Sequence, residues 1–244
     1  MGYRSANILA ENSYLMASSR SIKIADNLNQ EKALNAGLNA TLYIPLFGKE
    51  ASLSADYYYT KFFQQIISDT DSDPNEISFY NLDGQSYSQS IQVQGSYEVV
   101  KGLNLTAAYR LTDVKMTIGN ELREKPLINR YKGLLTTSYQ TPLKKWQVDF
   151  TTQFNGGGRM PTPNGDLWEK EFKPFTILNA QVTRYFRTWS IYFGGENLSN
   201  FKMDTPIIDA GNPWGENFDA SMTWGPVHGM MIYGGFRFAL ERDK

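Results

Sequence analysis

The densest group of potential ligands in the chain is acidic: Asp69, Asp71 and Asp73 alternate along one stretch, with Glu76 close behind. Carboxylates at that spacing suit a hard cation such as calcium. Two features of a helix-loop-helix calcium loop are missing, because Pro74 stands where glycine makes the sharp turn and no glutamate closes the run. A solvated acidic loop is the plainer reading. Further on, Gly156, Gly157 and Gly158 lead into Arg159. Without the lysine and hydroxyl of a phosphate-binding loop, or a helix after it, this run is expected to supply flexibility. Arg159, Met160, Trp168, Trp214, Trp224 and His228 are the side chains able to grip a ligand through charge, a soft thioether and aromatic faces. They serve equally well to pack one loop on another. With no cysteine and one histidine, the chain holds no disulfide, no thiol catalyst and no multi-histidine metal centre of its own. Carboxylate pairs occur without a nucleophile and neighbouring base, so these residues predict binding and no enzyme.

All of these candidates fall between segments of strict alternation. The last segment, 230–240, sets Met230, Ile232, Gly234, Phe236, Phe238 and Leu240 against Met231, Tyr233, Gly235 and Arg237. Segments at 33–45, 51–67, 87–100, 103–117, 130–141, 146–154, 176–186 and 189–198 repeat the period of two, which makes about nine strands. Their polar sides carry Asp56, Arg110, Asp149, Gln153, Glu196 and Arg237. Burying such groups unpaired costs kilocalories each, so that side must be wet. Aromatic residues make up 14% of the chain, led by 15 Tyr and 14 Phe. They suit strands, and rings at strand ends such as Tyr97, Tyr139, Trp146 and Trp189 suit the interfacial girdles of a membrane barrel.

Connections between the segments alternate, four short turns at one end and four long loops at the other, which is the asymmetry of a transmembrane barrel with periplasmic turns and extracellular loops. The expected fold is all-β, an antiparallel transmembrane β-barrel segment in the cell outer membrane. Counting back from the last strand places the C-terminus in the periplasm. Residues 1–32 become an extracellular loop region whose first four residues tip a further strand, 33–240 a meander of strands, and 241–244 a tail. An odd strand count leaves two edges that lipid cannot satisfy, so a larger barrel is expected. Two rivals are a complete small outer-membrane barrel of eight to ten strands acting as enzyme or adhesin, and a soluble all-β binding protein. A net charge of −1 argues against a nucleic-acid partner.

Four stretches, in order along the chain, resemble the TonB-dependent outer-membrane receptors. Gly2, Tyr3 and Arg4, followed by Asn7 and Glu11, are similar to the Gly-aromatic-Arg segment at the top of a rising barrel strand. Leu28, Asn29, Gln30 and Glu31, then Asn35 and Gly37, resemble the segment that opens the next descending strand, with Gln30 in place of the usual proline. Glu196, Asn197, Leu198, Ser199 and Asn200 resemble the Asn-Leu-Phe-Asn segment after the penultimate strand. Residues 226–238 resemble the closing strand, with Met230 where arginine is usual and Phe238 as the terminal aromatic.

The resemblance implies about nine strands of a barrel of about 22, with the plug domain and the earlier strands absent from this sequence. It further implies uptake of a scarce large nutrient, such as an iron-siderophore, another metal chelate or a cobalamin-like cofactor. The implied partners are that ligand, outer-membrane lipid, and the TonB energy-transducing complex acting through the missing plug. Calcium near Asp69, Asp71 and Asp73 is the one cofactor it suggests. Asp56, Arg110, Asp149, Glu196 and Arg237 would hydrogen-bond across strands and to the plug.

Overall fold

The structure, a computed structural model, describes residues 1–161 and 169–239. From the N-terminus come β1 (Gly2–Arg4), helix α1 (Ile8–Glu11), β2 (Ser21–Ile24), β3 (Glu31–Leu46), β4 (Lys49–Gln64) and β5 (Ile66–Asp69). The middle of the chain forms β6 (Glu76–Asn81), β7 (Ser86–Val100), β8 (Leu103–Ile118), β9 (Glu121–Glu124), β10 (Tyr131–Gln140) and β11 (Trp146–Asn155). The rest forms β12 (Gly158–Arg159), β13 (Glu171–Phe172), β14 (Phe175–Tyr185), β15 (Trp189–Glu196) and β16 (Met231–Phe238).

One antiparallel sheet, a curved wall, carries the order β1-β3-β4-β7-β8-β10-β11-β14-β15-β16, with β9 folded back on β8. Nine of its strands correspond to the nine alternating segments, and three-residue β1 begins a further one beside Glu31. The largest boundary difference is at 51–67. A bulge between Lys32 and Ala33 breaks the register of β3 with β4, and Ile66 and Ile67 leave the wall for a separate sheet. Among the described residues β16 does not return to β1 or β3, so the wall is open. The rival reading of a complete small barrel is therefore corrected: unpaired N–H and C=O groups line both edges, and a membrane leaves those unsatisfied.

Pairing register assigns the two faces. Asn39, Asp56, Gln92, Arg110, Lys132 and Asn155 lie side by side in one row across six strands. Asn39 donates to Asp56, and Ser138 Oγ and Gln147 Nε2 donate to Asp149. The opposite face is apolar and uncovered, with Leu38 72% and Phe236 75% exposed. In water that face would be a large aggregation surface; in lipid it is solvated. On the polar face, rings occupy the space that glycine leaves. A Cβ on Gly235 would sit 2.5 Å from the Tyr192 hydroxyl, and one on Gly194 would sit 2.7 Å from the Tyr233 ring. Thus the Tyr-x-Gly spacing of β16 interlocks two strands through their side chains. At the turn end, Phe47 and Gly48 both take left-handed φ, 48° and 78°, which closes a two-residue hairpin.

The loop end differs most from expectation. The loop region at 1–32 and the connection between the segments 51–67 and 87–100 contribute β2 and β6, which with β5 form a three-stranded sheet in the order β2-β6-β5, with β2 parallel to β6. Nearly every buried apolar side chain lies here: Leu15, Ile77 and Phe79 form one cluster, Ile67, Met116 and Ile118 a second, and Met160, Phe172 and Met222 a third. The wall holds water on one side and apolar surface on the other. The loops hold the dry core.

Candidate functional site

At the base of the loops, the stretches that looked most family-like are knots. Arg4 Nε donates to Glu31 at 2.8 Å, and its Nη2 lies 3.0 Å from Glu11. Asn7 accepts from the Ala10 N–H while its own N–H donates to Glu11, a reciprocal cap that forms α1. Asn197 and Asn200 both take φ of 51°. The Asn197 amide donates to the carbonyls of Phe201 and His228, and the Asn200 side chain accepts from the Met230 N–H at 3.0 Å. Those contacts tie the start of the longest loop to its end.

Two buried ion pairs hold the loops above these knots. Arg20 lies 2.9 Å from Asp219, both almost wholly removed from solvent. Burial pushes the Arg20 guanidinium pKa down while Asp219 pulls it back up. Arg159 donates to both oxygens of Asp71 at 2.7 Å and, through Nε, to the Glu124 carbonyl. Asp69 accepts from the backbone N–H groups of Asp71 and Ser72, from Ser72 Oγ at 2.6 Å and from the Tyr80 hydroxyl at 2.9 Å. Burial alone would raise the Asp69 pKa, but these donors outweigh it and hold the carboxyl below its ordinary range. Tyr80 is pushed up by burial and by Asp69.

The acidic run is thus consumed by protein donors. Asp73 accepts from the Asn75 N–H, and among the described residues no three acidic or imidazole side chains gather where a metal ion would sit. Met160 is buried against Phe172 and Met222. Trp224 stacks on Phe172 with centroids 5.1 Å apart. Trp214 is 97% exposed, His228 is exposed and gives only its carbonyl, and Trp168 lies outside the described residues. The glycine run corrects the expectation of flexibility. A side chain at Gly158 would collide with the Ile128 carbonyl and the Phe172 ring, so glycine there permits close packing.

Between the N-terminal segment, β5 and residues 125–128 lies a cavity of about 640 Å³, within the range of small-molecule sites. Ile8, Ile66, Leu127 and Met222 supply apolar lining; Tyr14, Thr70, Arg4, Glu31 and Lys125 supply polar groups. Among the described residues Lys125 has no carboxylate within 4.0 Å, unlike Arg4 with its two glutamates. It keeps contact with solvent, yet protein packed around it lowers its pKa, which Glu31 partly opposes. A lone ammonium beside apolar walls suits an anionic ligand with an apolar body. Sequence reading missed Lys125, Arg4 and Glu31 as site residues. Arg4 and Glu31 lay in the resemblance motifs, but nothing local marks Lys125. Deeper along the polar face, a cavity of about 250 Å³ is lined by Gln92, Arg110, Lys132 and Gln153.

Comparison with known proteins agrees with this architecture. The structure resembles the copper transporter OprC (TM-score 0.65, 15% identity), covering 97% of this chain and 35% of that one. A ferric enterobactin receptor mutant from Pseudomonas aeruginosa aligns with TM-score 0.62 at 15% identity, over 96% of this chain and 36% of the receptor. The FrpB iron transporter from Neisseria meningitidis aligns with TM-score 0.59 at 12% identity, over 90% and 32%. The chain therefore spans about a third of the length of these solved proteins. A search of curated protein sequences returns no match. The family model described as TonB dependent receptor-like, beta-barrel matches residues 2–198. The chain belongs to that family of TonB-dependent receptor-like β-barrels.

Proposed function

We propose that the chain is the C-terminal part of the barrel of an outer-membrane receptor for TonB-energised uptake of a scarce, large nutrient of the metal-chelate class. The observation that carries this reading is a wall wet on one face and apolar on the other, capped at one end by loops that enclose a cavity of about 640 Å³. Solved proteins with the same wall are named for iron, ferric catecholate and copper transport, which favours a metal or its chelate over cobalamin-like ligands. The loops face outward and the C-terminus lies in the periplasm. TonB acts through a plug that this sequence does not include. Lys125, Trp214 and His228 are the first contacts we assign to ligand; Arg159, Met160 and Trp224 hold the loops that present them. A calcium ion at Asp69, Asp71 and Asp73 would have to displace Tyr80 and Arg159, so calcium has no part in this reading. Binding and passage, with no bond chemistry, are the role.

The test is uptake. Cells lacking the locus should lose accumulation of a radiolabelled ferric chelate or of copper, with cobalamin uptake kept, and the loss should match that of a strain lacking TonB. Unchanged uptake of both metals, a loss confined to cobalamin, or uptake indifferent to TonB, would overturn the proposal.

A further inference from the structure

The outward face of the wall changes character within two residue rows. Leu38, Tyr57, Ile91, Leu111 and Tyr131 share one outward row. The next row toward the loops holds Ala36, Tyr59, Gln89 and Asp113, and the one after it Leu34, Lys61, Tyr87 and Lys115. None of these polar groups faces the lumen, because Thr60, Ser88 and Thr112 alternate with them on the wet side. Nor do they belong to any buried loop cluster.

Lys61 and Lys115 flank Tyr87 on alternate strands, about 10 Å apart by strand spacing. Tyr87 and Gln89 both donate to Asp113, at 3.1 and 3.0 Å, and Asp113 lies 3.9 Å from the Lys115 ammonium. Tyr59 stacks on Tyr87. Lys61 rests over the Phe63 ring and, among the described residues, has no carboxylate within 4.0 Å; Lys32, over the Tyr3 ring, is alike. Three ammoniums and Arg130 against Asp113 and Glu124, which stands opposite Lys115 and is held by Arg130, leave this row, edged by tyrosines, with surplus positive charge directly above an apolar band.

We propose that this row seats the phosphate of an anionic lipid headgroup, with Lys61 and Lys115 as donors and the lipid's acyl chains on the apolar rows below. The reading rests on the wall being in a membrane. Continuity decides between sources of phosphate. A tethered headgroup gains from both the ammoniums and the band, whereas free phosphate meets only an exposed Lys61 and a half-exposed Lys115, a weak and screened attraction. Near an anionic surface each lysine contributes about 1 kcal/mol, so losing both should weaken binding on the order of tenfold or more.

The experiment uses the full product of the locus in phosphatidylcholine vesicles, titrated with phosphatidylglycerol, with lipid retention read by native mass spectrometry. The expected result is preferential retention of phosphatidylglycerol, lost about tenfold or more in K61Q/K115Q, kept in K144Q/K145Q at the other end of the wall, and not competed by inorganic phosphate. Equal retention of both lipids, an unaffected K61Q/K115Q variant, equal loss in K144Q/K145Q, or full competition by phosphate would overturn it. Failure to enter vesicles of either composition would instead defeat the membrane reading beneath it.

Discussion

Asn197 shows how one residue can govern a loop of some thirty. Its side chain donates to Phe201 and His228 and accepts from Ser199 and the Phe201 N–H, all while its backbone holds a left-handed φ. Asn197→Ala removes these partners and strains the backbone, and should destabilise the loop end by about 2–4 kcal/mol. Protease cleavage within 199–228 should accelerate accordingly. Asn197→Gly keeps the backbone conformation and should give the side-chain part of the loss alone. Arg159 is the second such residue. Replacing it with Met takes the two-pronged Arg159 partner from buried Asp71, at a cost of up to about 3–5 kcal/mol; the double variant R159M/D71L should recover part of this. Hydrogen exchange over β5 and β6 measures both, and a wild-type profile in R159M would show the pair to be idle.

At the scale of elements, the loop sheet and the wall should respond to different stresses. Asp69 anchors β5 to β6 and to the turn after it, and its folded pKa lies below its unfolded one. Its contribution to stability is therefore fully present above the unfolded value of about 3.9 and is lost as pH falls through the lower folded value. Exchange protection of β5 and β6 should stay level from neutral pH to about 5 and decline only below about 4, with Asp69→Asn removing that acid limb. Decline already at pH 6 would assign the transition elsewhere. The wall instead depends on small residues. A Cβ at Gly194 meets both the Tyr233 ring and, at 2.8 Å, the Ala180 carbonyl. Gly194→Ala should lower the heat resistance of the folded chain by more than 1 kcal/mol, and Tyr233→Ala should restore only part of it because the backbone contact remains.

For the whole molecule, the alternation of short turns and long loops becomes an orientation. The chain has no cysteine, so single-cysteine variants report cleanly. On intact cells W214C, in the longest loop, should react with a membrane-impermeant maleimide, and K144C, in a short turn, only after the outer membrane is opened. The reverse pattern would invert the proposed topology. Scale also explains the exposed apolar area: this chain covers about a third of the solved receptors, and its two free edges have the geometry of a sheet that continues.

The period-two alternation was enough, by itself, to count the wall strands, to divide their faces and to order the turns. That information is local: each residue's face follows from its neighbours two places away, and lipid outside with water inside leaves no tertiary packing to override it. Even the motifs at 2–11, 28–37 and 197–200 were legible, though as family likeness without their role as knots. What only the tertiary structure decided lies in the loops. The strands there are two to six residues long, too short for a period, and their partners are remote: Asp71 finds Arg159 88 residues on, and Ser19 finds Phe218 199 residues on. Loop pairing on that scale depends on which strand tops the curved wall brings together. That is why Arg159 and Met160 sit in contacts between loops, and why Lys125, unremarkable in sequence, reaches the cavity beside Arg4 and Glu31.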